Sequence, residues 1–206
     1  MASQLVKQLA TNSSGVVSLH RGLSLCEISS GGLWSIRSSA SHDLNSFARA
    51  VFDQDSQFGE MITCEDLRLI QLWPQAAYLI SAEDSLPDTA YEFETLITDI
   101  GHGFCDLNLS GDGALVFLND HSSADLNQKN LSRNRTVRTS LGHFQILLWW
   151  DEASSIHILV DRSYAQSFTD YLGHLTSRWC DRDFPQGKSE GSSPMINSAP
   201  PPNLKN

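Results

Sequence analysis

Two short stretches hold the residue types that could do chemistry. The first runs Asp99-Ile100-Gly101-His102-Gly103-Phe104-Cys105-Asp106 and contains a thiol, an imidazole and two carboxylates. A Cys–His dyad would need His102 and Cys105 on one side of the chain. If residues 102–105 extend as a strand, a separation of three puts them on opposite faces, so Cys105 is expected in the core. Asp99 and Asp106 could share acid–base work. Asp99, however, precedes a flexible Gly-His-Gly turn, where a carboxylate more readily accepts from turn amides. The second stretch, Ser110-Gly111-Asp112-Gly113, lies at a strand-to-helix junction of the kind that cradles phosphate. Asp112 would place a negative charge at that helix start. No G-x-G-x-x-G or G-K-S/T accompanies it, so a tight turn that needs glycine is the preferred reading.

Other catalytic patterns do not occur. There is no G-x-S-x-G elbow. The histidines at 20, 42, 102, 121, 143, 157 and 174 form no H-x-H or H-E-x-x-H pattern. Cys26, Cys64, Cys105 and Cys180 contain no C-x-x-C pair and are expected to be reduced, small hydrophobes. No catalytic, cofactor or metal residue is assigned. Arg133, Arg135 and Arg138 stand out in an acidic chain, as a solvated loop or as a dock for an acidic partner surface. Arg162 could tie to Asp99 or Asp161, or reach a neighbouring chain; the internal tie is preferred. With Ser163, these arginines and Asp99 are the candidate structural or subunit-interface residues.

Composition narrows the class. With 206 residues, 40% of them hydrophobic, the chain can bury a core. A net charge of −10 argues against nucleic acid, because a phosphate-tracking protein needs a positive face. No run approaches the roughly 18 apolar residues of a membrane span. No signal peptide is read at the start, and a cytoplasmic location is expected.

The elements that must position these residues fall into one body, about residues 16–182. Residues 1–15 read as a flexible lead-in. Residues 185–206, rich in Ser, Gly, Pro and Asn, read as a disordered tail. Within the body one motif occurs twice, over about 30–95 and 97–180. The first copy has a strand at 33–37 and a helix from about Asp43 to Asp53. Leu44, Phe47, Ala48, Val51 and Phe52 share one face of that helix, and Asp43 or Ser41 would cap it. A hairpin follows, broken at Trp73-Pro74-Gln75. The second copy has a strand from Phe104 to Leu109 and a short helix from Gly111 to Asn119. A long strand from Thr139 to Trp150 comes next, apolar on both faces and so central in a covered sheet. After a turn at DEASS and a return strand at 156–160, a helix runs from Ser163, its expected N-cap, to about Trp179. Two ferredoxin-like split βαβ units with antiparallel-rich sheets, an α+β fold, are expected.

The order Ile97-Thr98-Asp99, Leu109-Ser110-Gly111, Ala124-Asp125-Leu126, Arg138-Thr139 and Asp161-Arg162-Ser163-Tyr164-Ala165 resembles the gamma subunit of heterotetrameric sarcosine oxidase. Trp73-Pro74 with Ala77-Tyr78-Leu79-Ile80 looks like that family's upstream hairpin, and the similarity covers about residues 67–176. Ile100-Gly101-His102-Gly103 and Gly111-Asp112 depart from the family pattern, marking a divergent member. The resemblance implies a fold similar to the folate-binding domain of aminomethyltransferases. It also implies a non-catalytic subunit that braces the alpha and beta subunits in a complex that includes a delta subunit. Such a complex demethylates sarcosine oxidatively to glycine, passes the one-carbon unit to tetrahydrofolate and releases hydrogen peroxide. FAD, FMN, NAD, zinc and tetrahydrofolate would sit on other subunits. The alternative is a free-standing folate-binding or aminomethyltransferase-like protein.

Overall fold

Alternate residues of the central strands serve different cores, because successive side chains point to opposite faces of a sheet. In a computed structural model, which describes residues 16–28, 31–39, 41–126, 134–152 and 155–179, Leu69 and Leu79 face one layer while Ile70 and Ile80 face another. Ile146, Leu148 and Trp150 likewise part from Leu147 and Trp149. The strands are β1 (Val16–Ser18), β2 (Ser24–Ile28), β3 (Gly32–Ser38), β4 (Met61–Cys64), β5 (Leu67–Trp73), β6 (Ala76–Ser81), β7 (Thr95–Asp99), β8 (Phe104–Ser110), β9 (Val137–Leu141), β10 (Phe144–Glu152) and β11 (Ser155–Asp161). The α-helices are α1 (Ser41–Phe52), α2 (Ala114–His121) and α3 (Ala165–Arg178).

Two antiparallel sheets result, with strand orders β4-β5-β6-β3-β7 and β1-β2-β8-β11-β10-β9. Their facing surfaces meet through Leu33, Met61, Ile70 and Ile80 on one side and Leu147, Trp149 and Leu159 on the other. Helix α1 covers the outer face of the first sheet with Leu44, Phe47, Ala48 and Phe52. Helices α2 and α3 cover the outer face of the second through Phe117, Leu118, Phe168 and Leu172. The layers are therefore helix, sheet, sheet, helix. Each fully buried Leu, Ile or Phe contributes about 1.5–3 kcal/mol relative to leaving it in water.

The lead-in, the tail, Arg133, Cys180 and part of the DEASS turn lie outside the described residues, as do the side chains of Ser41 and Asp43. Three sequence expectations need correction. The long strand Thr139–Trp150 is a hairpin, β9 and β10, reversed at Gly142-His143 with Phe144 opposite Leu141. Gly142 sits at φ +60, a conformation that suits such a tight reversal. Ser163 is not the N-cap of α3: it lies within a 3-10 turn, Arg162–Tyr164, and Tyr164 holds the cap position without a side-chain hydrogen bond. Strands β1, β2 and β4 had no counterpart in the sequence reading.

Two substitutions test this packing. Trp149 is 1% exposed in the inter-sheet layer, so Trp149→Ala is expected to cost about 3–5 kcal/mol in urea denaturation. A Cβ at Gly142 would lie 2.6 Å from the Tyr171 hydroxyl oxygen. With its positive φ, Gly142→Ala is expected to cost about 1–2 kcal/mol or more in the same assay.

Candidate functional site

The inter-sheet layer ends at the β4/β9 side of the molecule, where the two sheets are joined by backbone. The amide of Thr136 donates to the Gly59 carbonyl at 2.8 Å, and the amide of Met61 donates to the Asn134 carbonyl at 2.5 Å. Glu60 and Arg135 form the antiparallel bridge between them. On the other flank, the Gly59 amide donates to the Gln71 carbonyl at 3.2 Å. Strand β5 bulges there: Gln71 pairs with Ala77, yet Trp73 pairs with Ala76. A bulge re-aims the side chains around it.

Beside this join opens a cleft of about 890 Å³. Phe58 and Trp73 form one wall, with ring centroids 6.0 Å apart and planes at 24°, and they are 67% and 56% exposed. Arg135, Arg138 and Glu60 supply its charges. Leu72, Val137 and Leu147 supply apolar surface. Gln71 is 8% exposed; its Nε2 donates to the Trp73 carbonyl at 3.2 Å, while its Oε1 is buried without a partner. Leu72, Arg138, Gln145 and Leu147 also border a smaller hollow of about 90 Å³ that reaches Tyr78, Phe104 and Asp161. Burial pushes the Tyr78 phenol above its ordinary pKa, with Arg138 opposing. The arrangement has the features of a binding cleft: apolar walls, a few convergent polar groups and local positive charge.

The remaining sequence candidates are dispersed. Asp99 Oδ1 accepts from the Gly101 amide at 2.8 Å, at the end of β7. Asp106 is on the other sheet, where both its oxygens lie 3.2 Å from Nδ1 of His157, so the two carboxylates do not act together. His157 stacks on Trp149, with centroids 4.8 Å apart and planes at 12°. This buried pair was missed by sequence reading. Its signal was a polar residue in each of two apolar strands, since a buried polar group needs a partner. Arg162 ties to neither Asp99 nor Asp161: its Nη1 donates to Glu27 on β2 at 3.2 Å, a half-exposed pair worth little. His102 is exposed in the turn before β8, whereas Cys105 is buried. Among the described residues no cluster of His, Cys, Asp or Glu could hold a metal ion, and no helix is long and apolar enough to cross a membrane.

In class, the fold resembles part of an aminomethyltransferase: the glycine cleavage system aminomethyltransferase T from Bartonella henselae superposes with a TM-score of 0.55 at 16% identity, over 73% of this chain and 45% of that one. A fuller match is a chain of heterotetrameric sarcosine oxidase from Corynebacterium sp. U-96, with a TM-score of 0.67 and 21% identity over 86% of this chain and 91% of that one. These are the two groups the sequence resembled, and at such identities the likeness is one of fold. No protein-family model and no curated protein sequence matches the chain.

Burial, with the neighbouring Glu27 carboxylate, pushes the Cys105 thiol up to about 12. The unfolded chain would deprotonate it near 9.0. The folded pKa is the higher one, so the neutral thiol stabilises the fold below pH 9 and that contribution fades as pH rises towards 12. Urea midpoints measured from pH 8 to 11 should therefore fall less steeply in Cys105→Ala than in the parent. Equal slopes would count against this linkage.

Proposed function

We propose that this chain is a non-catalytic subunit of a heterotetrameric sarcosine oxidase-like complex, in the place of the gamma subunit. The observation that carries this reading is two-way coverage: 86% of this chain corresponds to 91% of a whole chain of such an oxidase. The aminomethyltransferase is matched over less than half its length. A protein of the second kind would be expected to need the rest of that architecture.

On this reading the alpha, beta and delta subunits are the partners. They carry FAD, FMN, NAD, zinc and tetrahydrofolate, and they convert sarcosine to glycine in the cytoplasm with transfer of the one-carbon unit and release of hydrogen peroxide. This chain supplies shape. Each sheet is taken as a ferredoxin-like split βαβ unit extended at its edges, to five strands in the first sheet and six in the second. In support, β3 and β5 run in the same direction with β6 between them, as do β8 and β10 with β11 between.

The docking surface we favour is the margin of the first sheet. Tyr91 and Leu96 are 68% and 66% exposed there, on and just before the edge strand β7. Large apolar and aromatic side chains of this kind anchor subunit interfaces.

A tagged full-length chain, purified from its own cells, is expected to bring down two larger flavin-coloured proteins and a small fourth one. Recovery of the chain alone as a stable monomer would overturn the proposal and favour the free-standing folate-binding alternative. The double variant Tyr91→Ser, Leu96→Ser is expected to lower recovery of the larger partners at least about tenfold while leaving the circular dichroism spectrum unchanged.

A further inference from the structure

We propose that strand β7 is an open sheet edge that takes up an extended, cation-bearing segment of a partner protein as a sixth strand of the first sheet. The proposal rests on the reading of this chain as a subunit and deepens it, since it names how the exposed margin is engaged and by what chemistry.

The first observation is which sheet edges are closed. The second sheet ends on one side in β1, a strand of 3 residues. On its other side Leu141 of β9 is bridged from outside by Ser122, and the Ser140 carbonyl accepts from the Ser123 amide at 3.2 Å. The β4 side of the first sheet is met by residues 134–136. Strand β7 differs. It pairs with β3 from Thr95 to Asp99 without a register shift, and among the described residues no strand lies beyond it. Natural edges are blunted by shortness, lysine, proline or a bulge. The run Thr95-Leu96-Ile97-Thr98-Asp99 has no lysine, proline or bulge. The second sheet shows what the equivalent place can hold: β2 has there the position that β7 has in the first sheet, and β1 covers it antiparallel.

The second observation is the direction of the backbone groups. The Ile100 amide donates to the Leu33 carbonyl at 2.9 Å. The pairs that exchange hydrogen bonds with β3 therefore continue at Ser35–Thr98 and Arg37–Leu96. Ile97 and Asp99 fall between them, so their amides and carbonyls point to the open side. An extended segment laid antiparallel there would bond to them, with Tyr91 and Leu96 as exposed apolar anchors beside it. The third observation is charge. Six carboxylates and no lysine or arginine lie between Ala82 and Ile100, and all six are exposed. Glu92 and Glu94 precede the strand and Asp99 ends it, so the edge is acidic at both ends. Arg37, on β3, lies opposite Leu96 on the inner side of β7. Two copies joined edge to edge would set like charges against each other. Charge complementarity instead selects a different chain: a segment with lysine or arginine at its ends and β-branched residues between them.

The test is amide hydrogen exchange, read by NMR on the full-length chain, with a blocked peptide of alternating valine and threonine that has a lysine at each end. One control peptide carries glutamate at both ends. The other keeps the lysines and has its core amides N-methylated. The lysine peptide is expected to slow exchange at Ile97 and Asp99 at least about tenfold. Leu96 and Thr98, whose amides already face β3, should change little. Both controls should leave exchange at Ile97 and Asp99 as it is in the free chain. Glu92→Lys with Glu94→Lys, at exposed positions, should remove the preference for lysine over glutamate. No protection at Ile97 and Asp99 with millimolar lysine peptide would overturn the proposal. So would equal protection by either control, or an unaltered preference in the double variant. Protection in the concentrated chain without peptide would also overturn it, by showing that a second copy fills the edge. Recovery of the larger partners without peptide protection would sink strand addition and leave the subunit reading standing. Peptide protection in a chain that purifies alone would do the reverse.

Discussion

The apolar layer between the two sheets is the constraint on which the rest of the structure depends. Leu147, Trp149 and Leu159 must meet Leu33, Met61, Ile70 and Ile80, while the opposite faces of the same strands pack helices. Strands loaded on both faces have no solvent side to fall back on, so a one-residue slip would misplace two cores at once. The layer even tolerates a polar cost. The Trp149 Nε1 is buried without a partner, a penalty of about 1–3 kcal/mol. It is offset by the burial of the indole and its stack on His157. Asp106 in turn holds His157 from the neighbouring strand. A buried imidazole so held is better placed to fix the register of β8, β11 and β10 than to move protons.

Where that layer stops, side-chain packing gives way to a cleft. Two sheets related only by side-chain contact would splay at their edges. Here the segment 59–61 hydrogen-bonds to β5 on one side and to 134–136 on the other. Backbone bonds fix the separation of the sheets there, and among the described residues the cleft lies beside them. The β5 bulge shifts the register between Gln71 and Trp73 at the cleft's edge. Gln71 keeps the alternation of Leu69, opposite Ala77, as a buried polar residue in a core position.

Local period was legible in the sequence; distant pairing was not. The α1 stripe at Leu44, Phe47, Ala48 and Phe52 is buried as its spacing required, and the 67–81 hairpin turns at Pro74-Gln75. The 139–150 run failed for a physical reason. Its apolar residues continue on both sides of Gly142-His143, so the reversal leaves no polar gap, and only the conformational freedom of one glycine marks it. Strands β1 and β2 are short and half polar, and they owe their form to β8 and to each other. The same limit applied to the site. Arg135 and Arg138 were visible as a cationic cluster, but their companions Phe58, Gln71 and Trp73 come from segments more than sixty residues earlier. Arg162 found Glu27, on a strand that was not foreseen.

The strand orders carry one more consequence. Reading β4-β5-β6-β3-β7 against β9-β10-β11-β8-β2 places β7 and β2 in equivalent positions. In the first sheet that place is filled by the strand that follows the hairpin. In the second it is filled by a strand from the beginning of the chain. Ser24 meets Ser110 across 86 residues, with their hydroxyls 2.7 Å apart. The first sheet is assembled from the contiguous strands β3 to β7, whereas the second joins β1 and β2, from before them, to β8 to β11, from after them. Non-local pairing of this kind costs loop entropy before it is rewarded. In return it makes the two units one cooperative body. The cleft is then held by the backbone bonds that join the sheets, between 59–61 and 134–136.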